Sequence, residues 1–201
     1  LRNDFGSFLG VGTGFLVAPM HLLTCNHLLS TARAARACRV RCGRRDLALD
    51  PDRFFHTSAD LDCTLVGVDA PPGAMPRALP RSAADHGIRE GDAVMLVAPA
   101  HGDDPPTVAR GRVVGTDPTR VFYDVASREG SSGAPVVDAA GGLVALHRGL
   151  VPARDTKGRM LTTDGQPYRG QTVAQEDLRW ASAEGVRASR LLADPRFSRR
   201  P

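Results

Sequence analysis

Residues 130–137 read GSSGAPVV. Small, flexible residues surround a hydroxyl, and an apolar run follows at once. Such a stretch is either a tight turn with no further role, or a loop that holds a serine in the open beside backbone N–H groups. Its continuation bears on the fold. Residues 134–137 suit a short strand, and similar runs recur at 14–17, 21–23, 38–41, 63–68, 93–98, 112–115, 121–125 and 143–146. Turn formers bound them: Asp-Pro, Pro-Pro, Gly-Asp and Gly-Gly. Short strands at fairly regular spacing predict an all-β sandwich or barrel.

Helical patterning is sparse. Residues 30–37 are alanine-rich but short, while 184–193 carry Val186, Leu191 and Leu192 on one stripe with Asp194-Pro195 as a stop. The Pro-rich stretch 69–80 separates two groups of strands, which predicts an N-terminal half over 1–80 and a C-terminal half over 81–201. Residues 154–169 are polar and turn-rich and predict a long loop.

The bulk composition excludes several classes. The chain has 201 residues, 42% hydrophobic and 24% charged, enough to bury one large core or two small ones. No run of about eighteen apolar residues could span a membrane, and no signal peptide opens the chain. It begins at Leu1 rather than Met, as an excised domain or a processed form does. The net charge is +4, but only Arg33, Arg36, Arg39, Arg41, Arg44 and Arg45 cluster. No aromatics interleave them, which argues for a solvated face rather than nucleic-acid binding. Cys25, Cys38, Cys42 and Cys63 read as free thiols. Cys38 and Cys42 lack the second pair that a zinc site needs, so no metal and no cofactor are expected.

A serine attacks only after a base takes its proton, and the base needs an orienting partner. Upstream of Ser132, HLLTCNHLL (21–29) ends an apolar run with His27, and in LDCTLVGV (61–68) Asp62 stands immediately before a strand-like run. Singly, each has a bland reading as a polar histidine, a turn-forming Asp and a Gly-Ser loop. Together, His27, Asp62 and Ser132 follow one another in chain order, each beside a strand-like run. An acid at a strand start can accept the imidazole N–H and stabilise the cation formed on proton transfer. The backbone N–H groups of Gly130 and Ser132 could converge on an oxyanion if Gly130 takes a conformation that a Cβ opposes. A Gly-x-Ser-x-Gly elbow of the lipase type does not fit: the fifth position is Ala134, the order is His, Asp, Ser, and βα alternation is missing.

With these motifs in place the sequence resembles the chymotrypsin-fold serine peptidases, and especially their bacterial trypsin-like branch. TCNH (24–27) is similar to that family's histidine motif, LDCTLV (61–66) to its aspartate stretch and GSSGAP (130–135) to its nucleophile motif. GTGFLV (12–17) is similar to the strand that leads to the histidine, and the likeness runs from about 12 to 149. The resemblance implies two six-stranded antiparallel β-barrels with a short C-terminal helix over about 184–193. It places the triad His27, Asp62 and Ser132 in the cleft between them, with no cofactor and with a protein or peptide as substrate. Ser131 stands where digestive members carry an Asp, so their activating ion pair is not available. That difference and Cys25, which has no evident disulfide partner, fit a cytoplasmic bacterial enzyme. Members of this branch are often joined to sensor and effector modules of defence or signalling systems, the partners the resemblance implies.

Ala126, six residues before Ser132, stands where members that cut after Lys or Arg carry an Asp. Ser127 and His147, in VASREGSSGAPV and VALHRG, resemble the hydroxyl and imidazole with which glutamyl endopeptidases hold an acidic side chain. Strand alternation points the adjoining Arg148 away from that pocket. The rival reading from another class is a catalytically silent peptidase fold that serves as a binding module.

Overall fold

The computed structural model describes residues 11–43, 45–71, 78–79, 87–98, 106–168 and 177–198. The first half builds one antiparallel sheet from β1 (Phe15–Ala18), β2 (His21–Thr24), β3 (Arg39–Cys42), β4 (Arg45–Ser58) and β5 (Cys63–Asp69), in the order β1-β2-β5-β4-β3. The second half closes a barrel from β6 (Ala93–Ala98), β7 (Thr107–Thr116), β8 (Arg120–Tyr123), β9 (Pro135–Val137), β10 (Leu143–Pro152) and β11 (Trp180–Arg187), in the order β10-β11-β8-β7-β6-β9. Pairing of β9 with β10 completes the ring.

The expectation of two six-stranded barrels is therefore corrected. One barrel has six strands and closes; among the described residues the other half is a five-stranded half-barrel. Its edge strands have one neighbour each, since β1 pairs with β2 and β3 with β4. The long strand β4 supplies the curvature. Its pairing with β5 breaks after Asp50 and resumes at Phe55. Pro51, which has no N–H for the ladder, lies in this gap, and such a bulge bends and twists the strand. The helix α1 (Ala32–Ala37) covers part of the core that the open sheet leaves, burying Ala35 among Leu47, Leu49, Val66 and Val68. Thr31 caps it by accepting a hydrogen bond from the Ala34 N–H at 3.1 Å.

Two further expectations change. The C-terminal helix begins at Ala188 rather than 184: α2 spans Ala188–Ala193, and α3 (Pro195–Ser198) follows. Residues Glu184, Gly185 and Val186 pair with β8 on one side and β10 on the other, so the barrel's demand for a strand overrides the local helical stripe. The stop at Asp194-Pro195 stands, with Asp194 as the C-cap of α2. The long loop after residue 153 is partly ordered by bridges between Arg154 and Met160, Leu161 and Pro167, and Thr162 and Leu178. Most of the Pro-rich connector, including the boundary at residue 80, lies outside the described residues.

Three apolar clusters form the core, and one of them joins the halves. One fills the barrel around Val94, Leu96, Val121, Tyr123 and Val144. A second fills the half-barrel around Leu22, Leu49, Val66 and Val68. The third joins Phe15, Leu23 and Leu65 of the first sheet to Leu146 and Val186 of the barrel and to Leu191 and Phe197 of the C-terminal helices. This seam fixes how the two halves face each other. Among the described residues, no helix is long and apolar enough to cross a membrane.

Candidate active site

His27 sits in the turn that follows β2. The Leu29 N–H bonds the Asn26 carbonyl at 3.0 Å. Asn26 donates to the Thr57 hydroxyl at 2.7 Å, and Thr64 donates to the Leu29 carbonyl at 2.8 Å. These bonds tie the turn to β4 and β5, so the imidazole has a fixed mount. Asp62 ends the turn between β4 and β5 with φ of 45°. Asp tolerates this left-handed region better than most side chains.

The two side chains meet. The His27 N–H bonds Asp62 Oδ1 at 2.9 Å, and His27 Nδ1 lies 2.8 Å from Asp62 Oδ2. The imidazole is half exposed and the carboxylate is 6% exposed. Burial pushes the Asp62 carboxyl up, but hydrogen bonds from the His27 ring and main chain and from Arg148 outweigh it, and the net shift is downward. Asp62 is thus an anion at neutral pH, turned toward one edge of the imidazole.

Ser132 comes from the other half. Its loop is pinned across the seam: the Thr13 N–H bonds the Ser132 carbonyl at 2.8 Å, and the Thr13 hydroxyl donates to the Gly130 carbonyl at 2.7 Å. Thr24 in turn donates to the Thr13 carbonyl at 2.7 Å. The glycines permit this. Gly130 and Gly133 both have φ of +86°, and a Cβ on Gly133 would run into the Thr13 carbonyl. The N–H groups of Ser131 and Gly133 are bonded to the carbonyls of Arg128 and His147. Those of Gly130 and Ser132 have no partner among the described residues. The Ser132 hydroxyl donates to the Arg148 carbonyl at 3.2 Å.

Arg148 was legible in the sequence only as pointing away from His147. In the structure it reaches the His–Asp pair: Nε donates to Asp62 Oδ2 at 2.9 Å and NH1 to Glu184 Oε1 at 3.3 Å. An open polar cleft of about 500 Å³ is lined by Asn26, His27, Asp62, Arg148 and Glu184, with Ala59, Gly149 and Leu150.

The three specificity candidates differ in burial. His147 is buried and lies against Tyr123, whose hydroxyl is 2.7 Å from Nδ1. Burial, and then the charge of His27, lower its pKa to about 4. Ser127 is half-buried and Ala126 exposed. The contact of Tyr123 with His147 is not legible in the sequence, where Tyr123 lies within the strand-like run 121–125.

All four cysteines are free. Cys25, His27 and Asp62 place donor atoms within 4.8 Å of one another. This set is poorly suited to a metal, because the Cys25 thiol is held protonated by burial and bonds the His147 carbonyl, while Nδ1 and the carboxylate bond each other.

A barrel and a half-barrel sharing an apolar seam, with a His–Asp pair from one half and a serine loop from the other, define the chymotrypsin fold. The family model for the trypsin-like peptidase domain matches residues 12–146, and the chain belongs to that family. An uncharacterised protein of Sinorhizobium fredii, y4fB, is 28% identical over 91% of this chain, which spans 32% of that relative's length. Among solved structures, Rv3671c of M. tuberculosis, in an inactive form with a serine replaced by alanine, is 14% identical. It superimposes with a TM-score of 0.61 over 90% of this chain and 78% of its own. The HtrA-type protease AlgW with a decapeptide is 18% identical, with a TM-score of 0.58 over 89% of this chain and 48% of its own. At such identities the likeness is one of fold.

Proposed function

We propose that the chain is a serine endopeptidase in which His27 is the general base and then the general acid, Asp62 its orienter and Ser132 the nucleophile. The observation that carries this reading is the double hydrogen bond between His27 and Asp62, which leaves the other edge of the imidazole free to serve a hydroxyl. The Ser132 hydroxyl attacks the scissile carbonyl as its proton passes to His27. The tetrahedral oxyanion then collapses to an acyl-enzyme as the leaving amine takes that proton, and water releases the acyl group. The N–H groups of Gly130 and Ser132 form the oxyanion hole, which fits their having no other partner among the described residues; one such donor is worth about 3–4 kcal/mol in the transition state. No metal or cofactor enters these steps.

For the side chain before the cut we propose an acidic preference. With the Tyr123 hydroxyl donating to Nδ1, neutral His147 keeps a proton on Nε2 that can bond a carboxylate, and Ser127 adds a hydroxyl. Ala126 offers no counter-charge for Lys or Arg. The substrate is a protein or peptide, and we further propose a cytoplasmic setting in a bacterial defence or signalling system with sensor or effector modules as partners.

A second reading, the silent binding module, is favoured by one observation: the Ser132 hydroxyl bonds a main-chain carbonyl rather than the imidazole. A fluorophosphonate probe separates the two. Labelling of the wild type, lost together with all peptide cleavage in a folded Ser132→Ala variant, is the expected outcome. Absence of labelling in folded wild type, or undiminished turnover in the variant, sinks the peptidase reading. In a mixed peptide library, enrichment of Glu or Asp before the cut is expected, and enrichment of Arg contradicts the pocket.

A further inference from the structure

The candidate triad accounts for two donors on Asp62, but the carboxylate has a third. Its Oδ2 oxygen accepts both His27 Nδ1 at 2.8 Å and Arg148 Nε at 2.9 Å. A full positive charge therefore rests on the oxygen that faces the imidazole. Arg148 is itself shared: NH1 donates to Glu184, whose other oxygen accepts from Arg120 NH1 at 2.9 Å. The result is a chain of alternating charge running from His27 through Asp62, Arg148 and Glu184 to Arg120.

The backbone makes this geometry possible. The β10–β11 register steps from His147↔Gly185 to Gly149↔Glu184, so Arg148 is the extra residue of a bulge and has no cross-strand partner. A bulge re-aims a side chain. Here it sends the guanidinium into the cleft while the carbonyl of the same residue accepts the Ser132 hydroxyl.

Stability is a poor explanation for such a network. Asp62 and Glu184 are 6% and 14% exposed. Replacing a buried ion pair by well-packed apolar groups is often neutral or stabilising. What marks this pair out is its place, one hydrogen bond beyond the imidazole.

We propose that Arg148 and Glu184 are positioning residues for the His27–Asp62 pair: Arg148 holds the carboxylate through Oδ2 and weakens its field on the imidazole, and Glu184 offsets that weakening. This rests on the peptidase reading for its consequence in catalysis, but not for its electrostatics. Among the described residues, Cys25 and His147 are the other titratable groups placed near His27, and neither carries a charge near neutrality. The Cys25 thiol is held protonated by burial, and burial keeps His147 neutral. Arg120 stands behind Glu184.

The two substitutions act with opposite sign. Arg148→Gln removes a cation that opposes the imidazolium, so the acidic limb of the kcat/KM profile moves to higher pH. Glu184→Gln leaves Arg148 uncompensated, so the limb moves to lower pH and the maximal rate falls. Each shift should be roughly 0.5 pH or more, because the groups are only partly screened. Arg148→Lys keeps the charge but cannot serve both carboxylates. It should leave the limb in place and lower kcat at nearly constant KM.

The experiment compares the wild-type chain and these variants, each shown to be folded by circular dichroism. It records pH profiles with a cleavable peptide and, in the Ser132→Ala background, the NMR titration of the His27 Cε1–H. Opposite displacements in Arg148→Gln and Glu184→Gln support the proposal; displacement in the same direction, or none in either, overturns it. Should Arg148→Gln fail to fold, a downward move in Glu184→Gln still decides the matter, and its absence counts against the pair. The NMR titration needs no turnover. If wild type neither labels with fluorophosphonate nor cleaves peptide, the peptidase reading falls while the charge pair is judged on the titration alone.

Discussion

His147 ties pH to stability at the scale of a single side chain. Burial lowers its pKa to about 4 in the folded chain, against an ordinary value of about 6.5. Between these values the unfolded chain binds the proton and the folded one does not, so stability falls as pH drops from about 6.5 toward 4. At pH 4.5 the loss is on the order of 2–3 kcal/mol from this group, by the linkage relation. Urea unfolding at pH 7 and pH 4.5 measures it. His147→Gln, which cannot titrate, should show a smaller difference between the two pH values than wild type. Gly133 sets a second constraint at this scale. Gly133→Ala must accommodate a methyl against the Thr13 carbonyl at a φ of +86°. It should lower the thermal midpoint and abolish labelling of Ser132, because the N–H and hydroxyl of that same Thr13 pin the serine loop.

At the scale of elements, a short helix depends on its ends. α1 has six residues and one side-chain cap, from Thr31. Thr31→Ala should cost about 1 kcal/mol in urea unfolding, the usual value of such a cap, and leave cleavage intact because α1 is not part of the cleft. Strands β4 and β11 carry the opposite lesson. The sequence reading found neither. β4 has buried residues only at Leu47, Leu49 and Pro51; Asp52 and Arg53 are then exposed, and residues 54–58 are half-buried with no alternation. β11 carries an apolar spacing that fits a helix as well as a strand, and its two neighbours decide the outcome. The short runs that became β1, β2, β5, β6 and β9 were visible because their burial follows directly from apolar composition.

At the scale of the whole molecule, the cleft exists because the seam does. His27 and Asp62 belong to the half-barrel, Ser132 and Arg148 to the barrel, and Leu191 of α2 packs in the cluster that joins them. Leu191 is 2% exposed. Leu191→Ala should destabilise by about 2–5 kcal/mol in urea unfolding, since the cavity lies between elements that cannot easily collapse on it. Taken by itself, the sequence determined the β class, the punctuation of most strands, and the candidate residues His27, Asp62, Gly130 and Ser132. Those signals are local: residue type, spacing and the demand of a reactive serine for glycine around it. Only the tertiary structure decided that one half is an open five-stranded sheet among the described residues, that residues 184–187 are strand, and that Arg148 reaches Asp62 across 86 residues of chain. Alternation along a strand tells which way a side chain points. What it meets there depends on how two sheets pack, and that is set by the summed burial of many distant residues rather than by any short stretch.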